Sequence, residues 1–141
     1  MPPEFWAEVH GAVVHFPIAL TCFAWFCDAA VIVCWSRSVA APLRVAGRCA
    51  LGVGALSGLP AVVSGLVLTR GVLFGHGAVR WHHVFVWPSF GLLVATAVWS
   101  LLTPAPPTRG VQLRRVAVLG VLVGLMSATG YWGGRLALAF P

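Results

Sequence analysis

The sequence predicts an all-α fold, an integral membrane bundle of four transmembrane helices. Three observations carry this. Hydrophobic residues make up 60% of the 141-residue chain and charged residues only 9%, where a soluble domain carries about 25% charged residues. Four runs are long and apolar enough to cross a bilayer, which takes about 20 residues. The charges fall mostly at the ends of those runs. A chain this apolar could not cover a soluble surface with polar groups, so lipid is the expected solvent. The formal net charge of +6 raises nucleic acid as a partner. The basic residues are all arginines scattered along the chain, however, and they form no basic stripe.

The first span is expected over about residues 11–35. The N-terminal MPPEFWAEVH has two acids and no basic residue, unlike a secretory signal peptide, so this span is expected to be retained. The second is expected over 45–69, the third over 81–102 and the fourth over 116–140, within a single transmembrane domain. Pro42, the glycines of residues 70–80 and the PAPP stretch mark the loops.

Arginine placement gives the topology. Arg37, Arg44 and Arg48 flank the first loop, and Arg109, Arg114 and Arg115 the third. Arg70 and Arg80 flank the second loop, and Arg135 lies near the C-terminus. The larger group should be cytoplasmic, which puts both termini on the periplasmic (outer) side. The expected location is a bacterial inner membrane, crossed several times. Trp6, Trp81 and Trp132 would mark the outer interface, and Trp35 and Trp99 the inner one.

The second and fourth spans carry small-residue faces. Gly54, Gly58, Ala61 and Gly65 recur at helical spacing on one, and Gly120, Gly124 and Ala128 on the other. Such faces admit a second backbone or a flat cofactor. Of the four cysteines, Cys22, Cys27 and Cys34 lie in the first span and Cys49 in the second. No CxxCH is present, so covalent haem attachment is not indicated, and the thiols read as small apolar residues.

All five histidines, His10, His15, His76, His82 and His83, fall toward the outer side. Ionisable residues inside a span are functional candidates. Three chemistries remain open from the residues alone. The first is a b-type haem, held by imidazoles of the first and third spans, with Arg70, Arg80 and Arg135 placed for its propionates. The second is a set of structural histidines bonding carbonyls that Pro17 and Pro88 free. The third is a zinc or copper site. His10 and His15 would stand about 140° apart on a regular helix. Asp28 is the only acid well inside a span, about 20 Å along the helix from His15, and is expected to pair with Arg48 or Arg44. No Ser-His-Asp or HExxH arrangement is present, and GRCALGVGAL lacks the strand–turn–helix setting of a nucleotide loop.

The stretch His10-Gly-Ala-Val-Val-His15-Phe-Pro17-Ile-Ala-Leu20 resembles the opening HPxxVHFPIAL motif of the DUF2231 family of bacterial four-helix membrane proteins. Asp28, Ser64-Gly65-Leu66, Arg80 with His83, and Gly130-Tyr-Trp-Gly133-Gly134 match its later, looser features. The resemblance covers nearly the whole chain. Gly11 replaces the usual proline, Arg135 replaces an acid after the last glycine pair, and an Asp-Trp ending the second span is absent. The family is similar to four-helix b-type cytochromes. That similarity implies haem b on His15 and His83, with His10 as an alternative ligand, a supporting residue or part of a quinone site. The implied role is single-electron transfer with other membrane or periplasmic redox subunits. A structural subunit of a larger complex, or of a homo-oligomer, is the competing expectation.

Overall fold

The structure, a computed structural model, describes residues 3–139. The expected end of the fourth span, Phe140, lies outside the described residues. Five helices form: α1 (Pro3–Val13), α2 (His15–Val33), α3 (Ala40–Leu68), α4 (Gly77–Leu102) and α5 (Arg109–Ala139). No strand occurs among the described residues. α1 and α2 form one candidate span broken at Val14, so four spans result. The break follows from Pro17. It has no N–H to give the carbonyl of Val13, and its ring crowds that carbonyl.

Each span begins earlier than its apolar run. A hydropathy pattern sees only the segment that lipid selects, whereas the backbone keeps its helical hydrogen bonds through the interface. Pro42 accordingly lies inside the first turn of α3, where a missing N–H costs nothing.

Short connections make successive spans antiparallel. α2 packs on α3, α3 on α4 and α4 on α5, and α5 returns to α2 to close the ring. α1 leans on α3. A dry layer of Ala24, Ala50, Leu51, Leu93, Ala97, Leu119, Leu122 and Met126 fills the middle. Polar groups lie buried on both sides of this layer, among them Ser64, His83 and Ser89 toward the termini and Asp28, Gln112 and Arg115 toward the other end. Phe16, Phe23, Phe26, Leu56, Leu59, Val98, Leu101 and Val121 face outward. An apolar exterior around polar groups is what a hydrocarbon solvent selects.

The Asp28 partner differs from the expectation. Arg115, not Arg48 or Arg44, pairs with it at 3.0 Å, and both side chains are essentially fully buried. The cause is the early start of α5, which carries Arg115 into the bundle beside α2. Gln112, one turn earlier, donates from Nε2 to the Asp28 carbonyl at 3.2 Å. Arg48 instead donates to the carbonyls of Ser100 and Thr103, at the negative end of α4. Arg44 lies over the Trp35 ring, 4.7 Å from its centroid.

The small face of α3 is used inside the chain. Added Cβ atoms at Gly47, Gly54 and Gly58 would meet Cys27, Leu20 and Phe90 at 3.1, 3.3 and 3.1 Å. Gly58→Ala should therefore destabilise by about 1–3 kcal/mol through overpacking. Gly124→Ala, with nothing within 4 Å of the added carbon, should be neutral or slightly stabilising. Unfolding midpoints in detergent compare the two directly, and equal shifts would refute the packing difference.

Candidate functional site

The end of the bundle that holds both termini gathers three imidazoles. His10 comes from α1 and His82 and His83 from α4. The His10 and His82 ring centroids lie 6.5 Å apart with planes crossed at 78°. The His82 and His83 centroids lie 5.9 Å apart. α1 packs along α3, which α2 also contacts, and this brings His10 to Ala61 and Ser64.

Each of the first two rings is held by a carbonyl on another helix. His10 Nδ1 lies 3.0 Å from the Ala61 carbonyl oxygen and 3.0 Å from Ser64 Oγ. His82 Nδ1 lies 3.1 Å from the Thr129 carbonyl oxygen. A carbonyl only accepts, so Nδ1 carries the proton in the neutral form of both rings and Nε2 keeps its lone pair. Ser89, bonded to Thr129 Oγ1 at 3.3 Å, ties the same α5 residue to α4 about two turns further along from His82.

The glycines make these bonds reachable. Gly65 is four residues after Ala61, and a Cβ there would lie 3.1 Å from His10 Cε1. Gly133 is four residues after Thr129, and a Cβ there would lie 3.2 Å from His82 Cε1. A helical carbonyl points toward residue i+4, so a side chain at i+4 crowds any outside donor approaching it. The same arrangement recurs deeper in the bundle. Trp25 Nε1 donates to the Val116 carbonyl at 3.1 Å, and a Cβ at Gly120, again i+4, would lie 3.4 Å from that nitrogen. The glycine spacing on α3 and α5 thus has a local purpose that a plain small-residue face does not express.

The His15–His83 pair expected from the sequence is not the pair the structure forms. His15 is exposed, and its Nδ1 lies 2.6 Å from the Gly11 carbonyl oxygen, one turn back in the same span. His83 is buried at 6% exposure, with Nδ1 lacking a hydrogen-bond partner and Trp87 beside it at 6.3 Å. His76 is exposed in the loop before α4. Neither histidine uses a proline-freed carbonyl in the bonds to Ala61 and Thr129, because Gly65 and Gly133 retain their N–H groups.

Arg70, Arg80 and Arg135 are all exposed at this end. Arg70 adopts a left-handed φ of 51° where α3 terminates. Arg135 donates to the Tyr131 hydroxyl at 3.3 Å and lies 5.9 Å from the Trp132 ring. Trp132 stacks on Trp81 at 6.0 Å, which keeps the aromatic band of this end together. Among the described residues, no group of three or more His, Cys, Asp or Glu side chains is arranged to hold a metal ion.

Thr129 gives no chemical signal in the sequence until the helices are paired, and Ser64 stands there only within a loose family feature. No curated protein and no solved structure matches the chain. The family model described as "Predicted membrane protein (DUF2231)" matches residues 7–140, a range that contains every residue of the imidazole site. The chain belongs to the DUF2231 family of predicted membrane proteins.

Proposed function

We propose that the protein is a membrane-bound b-type haem protein that transfers single electrons, with His10 and His82 as the two axial ligands. The observation that carries this reading is the pair of imidazoles on separate spans with both Nδ1 atoms committed to carbonyls. Metal-bound histidines characteristically donate their other ring nitrogen in this way. The 6.5 Å centroid separation also suits the chemistry. Imidazoles on opposite sides of one metal, at metal–nitrogen distances of about 2 Å, have centroids roughly 6 Å apart.

The chemistry a bound haem supplies is one-electron exchange between ferric and ferrous iron. The chain's part is to fix both tautomers, orient both rings and exclude water through the apolar layer beneath. Arg80, Arg135 and Arg70 lie at the level where propionates would need cations. The arginine asymmetry supports periplasmic termini and an inner-membrane location, which would direct exchange toward quinone or an outer-side redox subunit.

A second reading has one observation behind it. Gly130 and Gly134 share one face of α5 and have nothing within 4 Å of an added Cβ, so this face could seat a helix of a second copy or a larger complex.

The reduced-minus-oxidised spectrum of detergent-purified protein from haem-replete cells tests the first reading. A b-type band is expected. Its absence would refute the haem proposal, and a stable oligomer by native mass spectrometry in haem-free protein would favour the second.

A further inference from the structure

The end of the bundle opposite the imidazoles carries Arg37, Arg44, Arg48, Arg109, Arg114 and Arg115, with Asp28 as the one acid among them. Arg115 is matched by Asp28. Arg48 bonds the α4 carbonyls, both through one terminal nitrogen, and shares the field of Asp28 with Arg115. Arg44 stands one turn earlier on the same face of α3, where like charges at i and i+4 repel. Its guanidinium lies over Trp35, and its Nε is buried without a hydrogen-bond partner.

From this geometry we infer that the surface presented by Trp35 and Arg44, with Arg48 one turn further along α3, holds the phosphate of an anionic phospholipid. A phosphate there accepts from the terminal nitrogens of the Arg44 guanidinium and adds negative charge to a face that carries two arginines. The depth suits a headgroup, because tryptophan concentrates at the membrane–water interface. Val33 and Val45, near Trp35 and Arg44 in the chain, are exposed and offer apolar surface to acyl chains. Basic pockets between spans are a recurrent form of lipid headgroup site.

The test is thermal unfolding of the purified full chain in neutral detergent, with phosphatidylglycerol, phosphatidylcholine or inorganic phosphate added. Phosphatidylglycerol should raise the midpoint by a few degrees and the other two should do little. Arg44→Gln should lose most of that rise, and Arg44→Lys part of it. Arg109→Gln, which removes the same charge from the exposed start of α5, should keep it. Equal rises with phosphatidylcholine, or equal losses in Arg44→Gln and Arg109→Gln, would overturn the site. A matching rise with inorganic phosphate would overturn the lipid as its occupant. Should Arg44→Gln fail to fold, Arg44→Lys against Arg109→Gln decides the question, and a full rise in Arg44→Lys refutes the role of the guanidinium fork.

Discussion

Asp28→Ala should destabilise the protein by about 3–5 kcal/mol, because it leaves Arg115 charged and unpaired inside the bundle. Arg115 is 1% exposed and Asp28 0%, so neither reaches water in the fold. Detergent unfolding midpoints measure the loss, and a marginal protein would show it first as poor yield. The double variant Asp28→Leu with Arg115→Leu should recover most of the stability, since replacing a buried pair by apolar residues is often neutral or better. A double-mutant cycle separates the candidates for the partner. Asp28 should couple to Arg115 and much less to Arg48, whose guanidinium is engaged with the end of α4. An Asp28→Ala protein as stable as the parent would end the view of this pair as the brace between α2 and α5.

That same pair shows where sequence reasoning succeeds and where it stops. The existence of four spans was legible because lipid imposes a composition that no other solvent tolerates. The depth of Asp28 was also legible, since rise per residue is fixed. Its partner was not. Arg48 and Arg115 lie at similar depth, and choosing between them requires knowing which helices are neighbours and how each is rotated. The return of α5 onto α2 settles that choice, and only the assembled bundle contains it.

The imidazole end divides in the same way. That histidines of the first and third spans would meet at one depth followed from the sequence. That His10 rather than His15 faces inward did not, because a separation of about 140° says that the two rings diverge and not which of them meets the bundle. His83 is the buried ring, yet His82 is the one that lies beside His10 and bonds α5. The glycines were visible as small faces, while their pairing with carbonyls four residues earlier needed the donors to be in place.

If His10 and His82 are the ligands, His10→Ala and His82→Ala should each abolish the b-type band, while His15→Ala should leave it intact. His15 is exposed and bonds the Gly11 carbonyl one turn back in its own span, away from the pair. The glycine variants probe the same site more gently. Gly133→Ala and Gly65→Ala should push the imidazoles off Thr129 and Ala61, since the added carbons fall 3.2 and 3.1 Å from ring atoms. Loss of such a supporting bond typically weakens metal binding by about 10–100-fold, so haem content should fall on dilution without vanishing at high haem supply. Haem per polypeptide, read from the pyridine haemochrome, gives the order: His82→Ala and His10→Ala lowest, the glycine variants between, His15→Ala equal to the parent. Loss of the band in His15→Ala together with its retention in His82→Ala would move the ligation away from the carbonyl-held rings. It would also break the link between the Gly-carbonyl arrangement and the haem, leaving that arrangement a purely structural device that locks α1 to α3 and α4 to α5.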